Sequence, residues 1–295
     1  MDVKRVGFRS GGIDCAATIY RDSAESERPG VLLCPGFGGT QDTPSIEASA
    51  RTFAAAGYVA VTFDYRNFGS SRGEPRQLVD ISGQIADIHA ATALTRELDE
   101  VDPDRVALWG TSLGGGHVVT AAAEEPGIAA VVAQIPFNGF PKQASGRSRK
   151  ATSALLAAMV RDRLRGWTGR APYYIPAVGE TGDVAVMTGP QAAKTIAAMH
   201  SATWENKVAP RALLDMMRYK PETSARRLRM PLMVCVGEFD HETPDSDSSR
   251  LAEVAPNGTL RRYPVGHFDF YRPDVREKVL ADQLGFLDSV LLRND

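Results

Sequence analysis

One serine in the chain is ringed by glycines: Leu-Trp-Gly-Thr-Ser-Leu-Gly-Gly-Gly-His, from Leu108 to His117. A serine hydroxyl is a weak nucleophile until a base takes its proton, and the base needs an acid to orient it. Both follow in chain order. Asp240 follows the apolar run LMVCVGEF, and His267 follows LRRYPVG. The chemistry such a set performs is attack of Ser112 on an acyl carbon, with His267 moving the proton and Asp240 holding the imidazole. Glu238 sits near the same strand end, but Asp240 lies further into the loop and is favoured.

The serine needs a particular backbone to stand clear. Gly110-Thr111-Ser112-Leu113-Gly114 fits G-x-S-x-G, in which a strand turns sharply into a helix and strains the serine's backbone. The residues two before and two after the serine then crowd each other and must be very small. Gly115 gives the helix room to pack closely, and the helix N-terminus below favours negative charge. A helix N-cap in a glycine-rich turn is the plainer alternative. The preceding strand RVALW and the apolar helix that follows argue for the sharp turn. A phosphate loop of the G-x-x-x-x-G-K-[ST] kind lacks its lysine.

The remaining chain must supply the sheet that positions these groups. Residues 3–9 and 13–20 alternate around SGG and predict an opening hairpin. Strands are expected at 30–36, 58–65, 105–110 and 128–136. They alternate with helices at 42–57, 79–99 and from Ser112 to about Glu124. Thr43 is placed to cap the first helix, Pro44 to start it and Gly57 to end it. The rhythm breaks from Phe137 to Arg229, where helical patterns and prolines replace strands. It resumes with a strand at 230–240, a helix near 245–254, a strand within 259–267 and a terminal helix over 274–292. The fold class is therefore α/β, a mostly parallel central sheet with helices on both faces. Residues 1–136 and 230–295 form the core domain and 137–229 a helical insertion over one end of it.

The carriers PGFGG, GTSLGG, GEFDHETP and GHFDFY, together with FDYRNFGSSRGEPRQ, make nearly the whole chain resemble the α/β-hydrolase fold family. The resemblance implies Ser112 as nucleophile, His267 as general base and then acid, and Asp240 as its orienting carboxylate. It implies an oxyanion hole from the backbone N–H groups of Leu113 and Phe37. The second turn reads Pro35-Gly36 where many relatives have His-Gly. Residues 137–229 stand where that family carries a cap. Within it, ATSALLAAMVRDRL suggests a stripe of Leu155, Leu156, Met159, Val160 and Leu164. Tyr173, Tyr174 and Trp204, in proline-bounded segments, are either cap core or the lining of an acyl pocket. The nearest resemblance is to dienelactone-hydrolase-like esterases. This points to hydrolysis of an ester, thioester or lactone, with no metal or organic cofactor. Acyl transfer or thioester cleavage in a biosynthetic pathway, a dipeptidyl-peptidase-like hydrolase and a ligand-binding protein that kept the triad are the other readings.

Other candidates are weaker. His117 rotates off the serine's face of the helix and reads as structural. His89 and His200 read as packed or surface histidines, and His241 as pointing away from the acid beside it. Asp269 and Tyr271 suit anchoring of the histidine loop, and Cys34 reads as buried packing. Arg66, Asn67 and Arg72 read as a loop tied to the sheet edge, with anion binding as the alternative. No cluster has zinc-ligand spacing.

Composition sets the outer limits. The 295 residues are 43% hydrophobic and 24% charged, with a formal net charge of -2. That charge offers no field for nucleic acid or an anionic membrane. No apolar run approaches the roughly 18 residues of a membrane span, and the N-terminus lacks the apolar core of a secretory signal. Three cysteines read as small buried hydrophobes in a reducing compartment, so the cytoplasm is the expected location. A small acyl compound is the expected partner, and self-association is left open.

Overall fold

A computed structural model describes residues 1–22, 27–140, 148–189 and 191–292. β1 (Asp2–Ser10) and β2 (Ile13–Arg21) pair antiparallel as the opening hairpin. Then come β3 (Arg28–Cys34), α1 (Pro44–Ala55), β4 (Val59–Phe63), α2 (Ile81–Arg96), β5 (Val101–Thr111), α3 (Leu113–Glu124) and β6 (Ala130–Gln134). The block after β6 holds α4 (Arg149–Trp167), β7 (Val178–Gly179), β8 (Met187–Thr188), α5 (Ala192–Met199), α6 (Ala212–Met216) and α7 (Glu222–Ala225). The chain closes with β9 (Leu232–Gly237), α8 (Asp245–Ser248), α9 (Arg250–Val254), β10 (Gly258–Tyr263), a 3₁₀ turn at His267–Tyr271 and α10 (Pro273–Leu291).

Eight strands form one sheet in the order β1-β2-β4-β3-β5-β6-β9-β10. β2 and β4 pair antiparallel, and every pairing from β4 through β10 is parallel. Central strands are buried on both faces, which is why they read as continuous apolar runs. Their period of two divides the core. Leu32 and Cys34 pack with Ile88 of α2 and Val118 of α3, while Val31 and Leu33 pack with Phe53 of α1 and Leu287 of α10. Strand order reverses between β3 and β5, so the loops leaving their carboxyl ends diverge and open a crevice. Ser112 follows β5 at that point.

Several expected details differ. The single helix near 245–254 is two short ones, because its first half, DSDSS, is made of residues that compete with the helix for backbone hydrogen bonds. Thr43 occupies the N-cap of α1, but its hydroxyl accepts from the Thr40 N–H at 3.2 Å instead of from the helix. Residues 137–229 carry one strand pair, the two-residue β7 and β8; residues 141–147 and 190 of this block lie outside those described. The predicted α4 stripe is rotated. Ala151, Ala158, Met159 and Asp162 face inward, and Leu155 is half-buried. Leu156, Val160 and Leu164 are 47%, 52% and 52% exposed. The cause is polar: Asp162 is fully buried and accepts the backbone N–H groups of Tyr173 at 2.8 Å and Arg211 at 3.1 Å. A satisfied buried carboxylate sets which face turns inward. Among the described residues, no helix is long and apolar enough to cross a membrane.

Candidate active site

Ser112 lies at the N-cap of α3 with φ 55° and ψ −122°, a conformation that costs a non-glycine residue on the order of 1–3 kcal/mol. Its neighbours leave no room for side chains. A Cβ on Gly110 would lie 2.3 Å from the Gly114 carbonyl oxygen, and one on Gly114 would lie 2.3 Å from that of Pro35. A Cβ on Gly115 would come within 3.0 Å of Pro136. The crowding expected across the serine is therefore backbone against backbone. Leu113 is the first helical residue, so its N–H has no intrahelical acceptor.

The turn after β3 approaches from the other side. A Cβ on Gly36 would stand 3.1 Å from the Cβ of Ser112, and the turn closes with Gly39 N–H donating to the Gly36 carbonyl at 3.0 Å. Asp64, at the end of β4, is buried and fixes this loop. It accepts the Gln41 N–H at 2.7 Å and the Gln41 side-chain amide at 2.8 Å. Burial raises its pKa in spite of those donors.

His267 and Asp240 are both buried and are joined through Nδ1 and Oδ2 at 2.7 Å. The other carboxylate oxygen accepts the N–H groups of Glu242 and Thr243, both at 2.8 Å. The Thr243 hydroxyl lies 2.9 Å from Asp240 Oδ2 and 3.1 Å from the Ile135 carbonyl, so its one proton serves either. Burial opposes charge on Asp240, but His267 and the Thr243 donors outweigh it and hold the carboxyl below its usual range. Burial likewise works to lower the His267 pKa, and the Asp240 charge prevails and raises it. With Asp240 ionised, Nδ1 carries the shared proton and Nε2 keeps the lone pair. Glu238 is exposed, and the carboxylate bonded to His267 is that of Asp240.

Ser112 and His267 line one small cavity of about 30 Å³, with Phe37, Met187, Met199 and Phe268. A larger groove of about 780 Å³, near Ile81, Trp167 and Tyr219, includes none of Ser112, Asp240 or His267. Tyr173 and Tyr174 do not line the serine's cavity. The Tyr174 hydroxyl donates to the Arg76 carbonyl at 2.9 Å, and the Tyr173 ring lies under Arg161 at 4.0 Å. Trp204 is buried behind the cavity wall, in a cluster with Met199 that Phe268 packs against. Sequence reading missed Met187, Met199 and Phe268, since nothing in their spacing marks which residues of the inserted block and of the histidine turn line the serine's cavity. Thr243 was missed too, although an Asp followed by two loop N–H groups is the signal of an Asx-type turn.

The other candidates fall where physical chemistry puts them. His117 is fully buried between the Tyr219 hydroxyl and Gln84, each at 3.0 Å, and burial lowers its pKa to about 3. His89 pairs with Glu124 and Glu125, and His200 and His241 are exposed. Arg66 grips Asp87 through two nitrogens, and Asn67 donates to the Leu78 carbonyl at 3.0 Å. Arg72 meets the hairpin through its backbone, donating to the Asp14 carbonyl at 2.8 Å. Asp269 ties the histidine turn by accepting the Gly266 N–H at 2.9 Å. Cys34 is fully buried, which pushes its thiol far above the usual range.

Residues 25–267 match the family described as serine aminopeptidase, S33. The quorum-quenching protein AidA of Acinetobacter baumannii is 36% identical over 288 residues, spanning 97% of this chain and 94% of its own length. The polyketide transferase grgF of a Penicillium species is 28% identical over 275 residues, 90% of this chain and 89% of its own. The crystal structure of the α/β hydrolase GrgF superposes with a TM-score of 0.83 at 24% identity, covering 99% of this chain and 100% of that one. With that match over most of its length, and with a sheet of this order, the chain belongs to the S33 family of α/β hydrolases.

Proposed function

We propose that the protein is a serine hydrolase that cleaves a carboxylic ester, thioester or lactone through an acyl-enzyme on Ser112. The observation that carries this reading is the strained Ser112 sharing one cavity with a histidine that is bonded to a buried carboxylate. In the first half-reaction Ser112 Oγ bonds to the acyl carbon as His267 Nε2 takes its proton. The carbonyl oxygen becomes an oxyanion facing the N–H groups of Leu113 and Phe37, and each such donor is worth about 3–4 kcal/mol. His267 then returns the proton to the departing alcohol, thiol or lactone oxygen. Water, deprotonated by His267, attacks the acyl carbon in the second half-reaction, and Ser112 leaves with the proton restored.

Residues 137–229 act as the cap in this reading, with Met187 and Met199 roofing the serine. Esters are favoured over N-terminal peptides because, among the described residues, no carboxylate lines the cavity to pair with a free ammonium group. Acyl transfer is the second reading. It draws on the relative named a polyketide transferase and on a roof of thioethers and a phenyl ring, which disfavours water and admits an organic acceptor.

The test has two parts. A small fluorophosphonate should label wild-type protein at Ser112 and leave Ser112→Ala unlabelled at an unchanged melting temperature. A panel of esters, thioesters, lactones and amides, with and without an alcohol acceptor, should show turnover of the first three classes, lost in Ser112→Ala. Labelling at another serine, or binding without turnover, overturns the reading.

A further inference from the structure

Asp42 lies just before the N-cap of α1, where a carboxylate ordinarily serves the first N–H groups of its own helix. Here it serves the inserted block. Oδ1 accepts the hydroxyls of Ser201 at 2.8 Å and Thr203 at 2.7 Å, and Oδ2 accepts the Thr203 N–H at 3.2 Å. Its one local bond, from the Thr40 hydroxyl at 2.7 Å, comes from the loop that carries Phe37. Thr40 in turn lies 3.2 Å from the Ser201 hydroxyl. Partial burial works to raise the Asp42 pKa, and the Thr203, Thr40 and Ser201 donors outweigh it and hold the carboxyl low.

What these bonds hold is the roof. Ser201 lies two residues past Met199, the last residue of α5, and its hydroxyl also accepts the Trp204 N–H at 3.2 Å. Met199 lines the cavity beside Ser112, and Trp204 packs with Met199. The cavity of about 30 Å³ has room for about one water and none for an acyl chain. Substrate must therefore displace part of the wall. Its opposite side, the turn at Gly36–Gly39 and the elbow, is held backbone to backbone, whereas Met187 and Met199 line the cavity with unbranched side chains that can change rotamer.

We propose that Asp42 is a positioning residue that latches the Ser201–Trp204 segment to the oxyanion turn and thereby sets which acyl groups the site admits. The inference rests on Ser112 being the nucleophile, but the latch itself is measurable without turnover. Two variants break it from its two sides, Asp42→Ala and the double variant Ser201→Ala/Thr203→Ala, which leaves the oxyanion turn intact; a third, Asp42→Asn, weakens it.

Amide exchange by mass spectrometry should rise about tenfold or more over 192–204 in Asp42→Ala and in the double variant, with less change in Asp42→Asn, whose remaining oxygen still accepts hydroxyls. In the same proteins kcat/KM for long or bulky acyl esters should rise severalfold relative to short ones, mainly through KM. Combining all three alanines should add little to either change, since the same bonds are already gone. Unchanged exchange over 192–204, an unchanged acyl-length profile, or full additivity overturns the latch. A wild-type protein that a fluorophosphonate fails to label at Ser112 overturns the nucleophile assignment instead, and the exchange result still reports on the latch.

Discussion

The carboxyl end of the sheet and the block inserted between β6 and β9 are built to different tolerances. At the elbow an added methyl group meets main-chain atoms, 2.3 Å away at both Gly110 and Gly114. In the block, a Cβ on Gly169 or Gly189 meets nothing within 4 Å, and one on Gly166 or Gly179 is crowded first by side-chain atoms, of Arg211 and Ala185; Trp167 at the end of α4 is 76% exposed. Backbone contacts cannot be relieved by changing a rotamer, whereas side-chain contacts can. In the proposed mechanism the groups that must hold one geometry through bond formation thus sit beside locked backbone. In the proposed reading the groups that meet the acyl chain, Met187 on β8 and Met199 on α5, sit on short elements held by side-chain packing and a few polar bonds. The two meet at Asp42 and at Phe268, which packs against the Met199 cluster directly after His267.

The largest expected effects test the rigid side. His267→Ala should lower kcat by about 10⁶-fold, since proton transfer is lost outright. Asp240→Asn should lower it by about 10⁴-fold, leaving an imidazole that is present but held in the wrong tautomer. Glu238→Gln should stay near wild type because Glu238 is exposed and the carboxylate bonded to His267 is that of Asp240. The pH profile carries a sign. The proposed mechanism needs neutral His267, and Asp240 raises its pKa, so kcat/KM should fall with acid through a midpoint above the ordinary imidazole value of about 6.5. Asp240→Asn removes the raising charge while burial remains, and the midpoint should move down. A midpoint that stays put in Asp240→Asn would detach Asp240 from the base.

Next in size is a direct contrast between the regions. Gly114→Ala should cut turnover about 100-fold or more by displacing the Leu113 N–H. It should also lower stability at the upper end of the roughly 1–3 kcal/mol range for overpacking. Leu164→Ser on exposed α4 should change stability by no more than about 0.5 kcal/mol and leave turnover intact. Denaturant melts of both variants decide it. A large loss in Leu164→Ser would mean that this face of the block is covered in solution.

The same difference governs what could be read from the sequence. The hairpin, the sheet strands and the placing of Ser112, Asp240 and His267 at strand ends were legible because each is tied to a local rule: alternation, a glycine forced by backbone crowding, or a polar residue at a strand end. The Asp240–His267 contact follows from β9 and β10 being neighbours, which chain order and parallel pairing imply. The block was not legible in this way. The rotation of α4 depends on Asp162 finding two backbone donors 11 and 49 residues away, and no helical period encodes that. Tyr173 and Tyr174 were drawn to the pocket by their type and flanking prolines, yet their positions follow from Arg161 and the Arg76 carbonyl. Asp42 looks like a helix-start residue, and its partners lie about 160 residues on.

The smallest expected effect tests whether the tolerant side sets specificity. Met199 lines the cavity with Ser112, whereas Tyr174 is bonded elsewhere. Met199→Ala removes much of the roof, and each additional buried CH₂ is worth about 0.8 kcal/mol, roughly fourfold in kcat/KM per carbon. The variant should move the preferred acyl length upward by one to a few carbons, while a small fluorophosphonate still labels Ser112 at close to the wild-type rate. Tyr174→Phe should leave the acyl-length profile in place, since it loses only a hydrogen bond to the Arg76 carbonyl. Trp204→Ala should shift the profile less than Met199→Ala, because the indole acts through Met199 and not on the substrate. Measured as kcat/KM across a series of straight-chain esters, that ranking depends on the path from substrate to side chain. A profile moved by Tyr174→Phe and unmoved by Met199→Ala would place the acyl group on the other side of the block, and the methionine roof would then be packing alone.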